Sequence, residues 1–254
     1  MASPVLLFFG AGPNVGLSVI KKFRSEGYKI AAVARTLRDD LKTITDKAIA
    51  ADLSSDPSNI ARIFEEVEKE LGVPTVVVYN AYSLTFAADD NDPFTVDPSS
   101  FAKDIAVNAT SAYAAAAAFA KLPPSPHPKV FIHTGNMQFS LVVPQTFSLG
   151  VGKSAMAYVI ETAANVYGKA GNGEKGYWYF ADERTVNGDS VMSKVDGPAH
   201  AEYYWELVNT KKQGPWNATF AKGIGYKDFE SHRDRRVATV GELMGNLGLM
   251  WPPA

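Results

Sequence analysis

The run Pro4-Val5-Leu6-Leu7-Phe8-Phe9-Gly10-Ala11-Gly12-Pro13-Asn14-Val15-Gly16-Leu17-Ser18-Val19-Ile20 constrains this chain more than any other stretch. An unbroken apolar run of this length reads as a strand buried on both faces. It enters a glycine-rich turn, and the turn opens into a helix with apolar spacing. Such a turn aims backbone N–H groups and the positive end of a helix at a pyrophosphate. Glycine is needed where the backbone takes a positive φ or lies against a ligand with no Cβ between them. The spacing is Gly10, Gly12, Gly16, with Asn14 where a further glycine would fit. Asn tolerates the left-handed region better than most side chains, so the turn is expected to keep its shape. The predicted ligand is a dinucleotide.

Strand-like runs recur at 5–9, 29–34, 73–79, 129–133 and 176–181, with a weaker one at 47–51. Helical patterns lie between them at 16–26, 57–71, 97–122 and 148–169. Regular alternation of this kind predicts an α/β fold, a doubly wound parallel sheet of Rossmann type with helices on both faces. Asp56-Pro57 and Asp97-Pro98 read as helix caps with proline at the first helical position. The proline-rich stretch 123–128 reads as a rigid connector. A chain of 254 residues fits one domain, 1–254. From Asp182 onward the alternation is expected to stop. Residues 182–216, with Tyr203, Tyr204, Trp205 and Trp216, read as a substrate-covering insertion or a subunit contact, and 217–254 as a C-terminal extension.

Composition excludes several classes. With 25 basic and 27 acidic residues the net charge is −2, which argues against a nucleic-acid surface. The absence of cysteine removes disulfides, thiolate metal sites and cysteine nucleophiles. His127, His133, His200 and His232 lack metal-ligand spacing, so no metal is expected. No apolar run approaches the ~18 residues of a membrane span, and the N-terminal apolar stretch lacks a preceding basic segment. The expectation is a cytoplasmic protein with no membrane partner. Gly150-Val151-Gly152-Lys153-Ser154 imitates the end of a P-loop, but Phe147 stands where the motif needs glycine.

Taken in order, these features resemble the short-chain dehydrogenase/reductase family over about residues 4–181. Gly10, Asn14, Val15 and Gly16 fall on the family's glycine turn. Asp52-Leu53 ends the third strand, where the resemblance implies an adenine contact. Asn80-Ala81-Tyr82 stands where the family has Asn-Ala-Gly, and Asn108 at its structural and catalytic asparagine. His133-Thr134-Gly135-Asn136 lies in the region of the catalytic serine, and Lys153 at the catalytic lysine, which also holds the nicotinamide ribose. The resemblance implies a homodimer or homotetramer.

The slot for the ribose-binding carboxylate at the end of the second strand is Ala34, followed by Arg35. A carboxylate there would repel a 2′-phosphate, whereas a guanidinium suits one. NADP(H) is therefore expected over NAD(H). The acid/base set departs from the family: four residues before Lys153, at the family's tyrosine, stands Leu149. The candidate replacements are Tyr82, His133 and the Asp182-Glu183-Arg184 run, and Thr134 is the nearest hydroxyl at the serine's place. The sequence supports an atypical NADPH-dependent reductase acting on a carbonyl or imine of a hydrophobic small molecule. Two alternatives stay open: a cyclase or isomerase that keeps the cofactor as scaffold, and a non-enzymatic NADP(H)-binding protein.

Overall fold

A computed structural model describes residues 2–89, 92–168, 174–229, 240–245 and 248. Eight strands form one sheet in the order β3-β2-β1-β4-β5-β6-β7-β8. They are β1 (Val5–Phe9), β2 (Lys29–Ala34), β3 (Lys47–Ala50), β4 (Val76–Tyr79), β5 (Val130–Thr134), β6 (Tyr177–Arg184), β7 (Asn217–Ala221) and β8 (Gly225–Tyr226). All pairings are parallel except β7 with β8, a short antiparallel hairpin at the edge.

The period of two in a strand sorts the apolar residues into two layers. Leu7, Phe9, Val77, Tyr79, Phe131, Trp178 and Phe180 face one side. There they meet α3 (Ser58–Glu70), α5 (Ser111–Lys121) and α6 (Phe147–Tyr167). Leu6, Phe8, Val130, Ile132, Tyr179 and Ala181 face the other, against α1 (Val15–Ser25) and α7 (Gly197–Asn209). The short α2 (Asp39–Ile44) closes over this second layer with Leu41. On the first side, α4 (Pro98–Ile105) and α5 are joined by one π-helical stretch, Ala106–Thr110. Among the described residues the last helix is α8 (Val240–Gly245). Among the described residues no helix is long and apolar enough to cross a membrane.

Two expectations fail. The alternation does not stop at Asp182: Asp182, Glu183 and Arg184 are the last three residues of β6, and β6–α7–β7 is one more crossover unit. Nor is 182–216 as a whole a cover. Tyr203 and Tyr204 of α7 are buried in the second layer, and Trp205 packs against that layer edge-on to Phe23 and Tyr28. Trp216 packs against Phe139 and Phe180 on the opposite side. The aromatic content that looked like a lid is core, because an amphipathic helix that docks on a sheet carries the same residues. Within 182–216 only the connections 185–196, which carries one short 3-10 turn, and 210–216 lie outside the regular elements. Of the expected C-terminal extension, 217–221 and 225–226 are strand. His232 and Trp251-Pro252-Pro253 lie outside the described residues.

Candidate active site

The strand order reverses between β1 and β4, and in open α/β sheets ligands bind at such a switch point beyond the strand ends. A cleft of about 430 Å³ lies there, bounded by the first glycine turn, the end of β2 and the residues after β3 and β4. Gly10 has φ +79°, and a Cβ on it would stand 2.4 Å from the Ala81 backbone nitrogen. A Cβ on Gly16 would stand 2.8 Å from the Ala11 backbone. Asn80 donates from Nδ2 to the Gly10 carbonyl at 2.9 Å, tying the turns after β1 and β4 together. A Cβ on Gly12 would meet only one atom, the Gly10 carbonyl oxygen, at 4.0 Å. The protein itself therefore does not need glycine at 12, and its bare backbone faces the cleft.

Arg35 lines this cleft, and so does Arg38, a residue the sequence reading missed. Arg38 donates to the Ala11 carbonyl at 3.3 Å and pairs with Asp40 at 3.0 Å. Its Nη2 is buried without a hydrogen-bond partner among the described residues. A charged donor left in this state fits an anionic oxygen as its partner. The available signal was a second arginine within the same short loop after β2. Asp52 lies in the cleft with its carboxyl held below the usual range, first by hydrogen bonds from Ser54 and further by Arg35 and Lys103. Leu53, Ala81 and Tyr82 complete the wall. Positive-φ Gly10, bare Gly12 and two guanidiniums fit a phosphorylated dinucleotide.

Asn14 and Val15 are placed differently from expectation. Asn14 has φ −97°, outside the left-handed region, so no glycine-like tolerance is involved. Its side chain turns away from the cleft, donating to the Val195 carbonyl at 2.7 Å and accepting from Gly197 N at 3.0 Å. Val15 begins α1 with its side chain packed in the second core layer, so only its backbone stands at the turn.

The second group of residues lies at the ends of β5 and β6. Lys153 of α6 is buried and donates from Nζ to the Thr134 carbonyl at 2.7 Å. Burial draws its ammonium down to about 8, against the opposing pull of Asp182. Asp182 shares one carboxylate oxygen with Arg184 Nε and Nη2, both at 2.6 Å, inside the protein. Burial pushes the Asp182 carboxyl up, and Arg184 and Lys153 oppose this. Glu183 points to the opposite face, where it accepts from Asp196 N at 2.9 Å and lies 3.4 Å from His200. Burial pushes Glu183 up to about 7 and His200 down to about 4. The three residues thus do not act as one unit: Asp182 faces Lys153 and holds Arg184, and Glu183 fastens α7.

Three candidate proton donors are not beside Lys153 in a usable form. The Thr134 hydroxyl points to the α7 side and meets the Tyr204 hydroxyl at 2.8 Å, so only its carbonyl reaches Lys153. His133 is stacked between Tyr79 and Phe180 at centroid distances of 5.8 and 5.5 Å. Burial holds its charged form well out of favour, and the positive charge of Lys153 adds to this. Tyr82 is 64% exposed and lines the first cleft, on whose wall Lys153 and Thr134 do not lie. Asn108 has both side-chain atoms engaged with Ser83, accepting from its N–H at 2.9 Å and donating to its carbonyl at 2.7 Å. It sits in the π-helical stretch, pressed against α6 where a Cβ on Gly152 would stand 2.3 Å from the Asn108 Cβ. Sequence reasoning also missed Asp104, which accepts from Ser83 and Ser148 at 2.6 Å each and from Thr85 N at 2.8 Å. Among the described residues no three His, Asp or Glu side chains gather as a metal site.

The sheet order, the switch-point cleft and the glycine turn define a dinucleotide-fold protein of the Rossmann class. Residues 10–172 match the family model described as Enoyl-(Acyl carrier protein) reductase. The chain is 39% identical over 254 residues to the short chain dehydrogenase/reductase dmxR12 of Cryptosporiopsis sp. (strain 8999), covering 94% of this chain and 100% of that one. It belongs to the short-chain dehydrogenase/reductase family, a family of oxidoreductases. Solved structures share the fold at low identity. One is a metagenomic short-chain oxidoreductase in complex with NADP, at TM-score 0.72 and 16% identity over 88% of this chain and 99% of that one. Another is the NADPH-dependent 3-quinuclidinone reductase of Rhodotorula rubra, at TM-score 0.71 and 16% identity over 89% of this chain and 92% of that one.

Proposed function

We propose that this protein is an atypical NADPH-dependent reductase that delivers hydride to a carbonyl or imine carbon of an apolar small molecule. The observation that carries the cofactor choice is the pair Arg35 and Arg38 in a cleft where β2 ends in Ala34 rather than a carboxylate. Fold neighbours described with NADP or as NADPH-dependent support the same reading. In it, Gly10, Asn14, Val15 and Gly16 provide the turn, Asp52 and Leu53 the adenine wall, Asn80 and Ala81 the central floor, and Lys153 the nicotinamide end.

The apolar substrate is assigned to side chains other than the α7 aromatics. Met137, Leu141, Val143 and Met244 form a small separate cluster, with Met192 against it. It gathers the segment after β5, the connection after β6 and α8. Methionine adapts its shape to what it meets. Met192 has φ +48°, a rare conformation for a residue with a side chain. Outward-facing Val151, Tyr158 and Val166 share one face of α6 by their spacing, and Tyr113 of α5 is exposed as well. We assign this face to a second copy of the chain, giving a homodimer or homotetramer.

The deciding experiment is calorimetric titration of NADPH and NADH side by side. Tight NADPH binding with weak NADH binding is expected. Arg35→Ala and Arg38→Ala should each weaken NADPH by about 10–100-fold, the worth of a charge-assisted hydrogen bond, while leaving NADH nearly unchanged. Equal losses for both cofactors would overturn the phosphate assignment. The missing tyrosine favours a second reading, a cyclase or isomerase that keeps the cofactor as scaffold. Substrate turnover without net NADPH oxidation would select it.

A further inference from the structure

We propose, resting on the reductase reading above, that the Lys153 ammonium is itself the proton donor of this site, held in place by Thr134 and the Asp182–Arg184 pair. The carbonyl carbon receives hydride from NADPH, the C=O π pair moves to oxygen, and that oxygen takes a proton from Nζ. The products are the alcohol and NADP+, and the neutral amine regains its proton from water.

Among the described residues, the hydroxyls of Thr134, Ser148 and Tyr82 are committed or placed elsewhere. One turn before Lys153 on α6 stands Leu149, buried and without a proton to give. Thr134 has turned its hydroxyl to Tyr204 on the far side of the sheet. Ser148 gives its hydroxyl hydrogen to Asp104. Tyr82 is exposed and lines the first cleft, on whose wall Lys153 does not lie. His133 is closed between two aromatic rings. Lys153 has three hydrogens and, among the described residues, spends one on the Thr134 carbonyl, which leaves two uncommitted.

The surrounding charges keep Nζ in place without quenching it. From β6 the facing group is Asp182, whose charge is shared with Arg184 at 2.6 Å. From β5 it is His133, kept neutral by burial. From α4, Asp104 is saturated by Ser83, Ser148 and Thr85. The π-helical stretch presents uncharged Asn108, already paired with Ser83. Asp182 is in this account a positioning residue. Burial brings the ammonium to about 8, and a donor near the working pH transfers its proton most effectively.

The test has two arms. In protein carrying 13Cε-labelled lysine and no cofactor, NMR should show one lysine titrating near pH 8. That signal should vanish in Lys153→Met and move to lower pH in Asp182→Asn. In turnover, wild-type kcat should fall as pH rises through that value. Lys153→Arg, which keeps the charge but cannot release a proton, should lose ~10²–10⁴ in kcat with NADPH affinity within a few-fold. A Lys153→Arg enzyme with near-wild-type kcat, or a wild-type profile flat across pH 8, overturns the proposal and leaves the reductase reading standing. A wild-type protein that binds no NADPH by calorimetry overturns both.

Discussion

The two ends of the candidate site are built from different materials. The end between β1 and β2 is made mostly of backbone: a positive-φ glycine, a bare Gly12 and carbonyls bound by Asn80 and Arg38. The end at β5 and β6 is made of side chains: Lys153, Asp182, Arg184, and the Thr134–Tyr204 hydroxyl pair. A backbone site has few sequence solutions, because glycine has no substitute where a Cβ would strike the chain. A side-chain site can be rebuilt by neighbours, and here a buried Leu149 stands one turn before Lys153 on α6.

The largest effect should come from breaking the side-chain end at its base. Arg184→Met leaves the Asp182 carboxylate buried beside only Lys153, and removal of one partner from a buried pair costs about 3–5 kcal/mol. Denaturant unfolding at neutral pH measures this. Asp182→Asn combined with Arg184→Met should recover part of the loss, since no lone carboxylate is then left. At the backbone end, Gly10→Ala forces a side chain into a positive φ at about 1–3 kcal/mol and drives it against Ala81. Loss of NADPH binding is expected at any temperature where the variant is still folded. Retained affinity would show that the turn is scaffold only.

Leu149→Tyr addresses the difference between the ends directly. The new ring must fit a buried position, and overpacking costs about 1–3 kcal/mol. If its hydroxyl comes beside Lys153, carbonyl reduction should rise and its dependence on pH should change, both read from initial rates. Unchanged rates would mean that the reaction end no longer has the family's geometry.

The same contrast explains what was legible in the sequence. β1, its glycine turn and α1 could be read because continuous apolar residues followed by glycine have few other structures. The end of β6 could not: Asp182, Glu183 and Arg184 look like a loop, and they continue the strand only because each charge finds a partner on its own face. Tyr203 and Tyr204 looked like a cover because periodicity shows that a helix has an apolar face and not what that face meets. The direction of the Thr134 hydroxyl depends on strand parity and on Tyr204, which lies 70 residues later in the chain.

The smallest effect tests whether Asn14 belongs to the cofactor site or to the scaffold. It stands in the glycine turn, yet its amide is committed to the start of α7, where a Cβ on Gly197 would lie 2.5 Å from the Asn14 Oδ1. Asn14→Ala deletes two hydrogen bonds and leaves the Val195 carbonyl and Gly197 N–H without that partner, a loss of about 2 kcal/mol. The melting temperature should drop while NADPH affinity stays within a few-fold, because α1 still presents the backbone N–H groups of Asn14 and Val15. A large fall in affinity at unchanged stability would instead make Asn14 a direct ligand of the pyrophosphate. The two ends would then be joined by cofactor contact rather than by the α1–α7 packing.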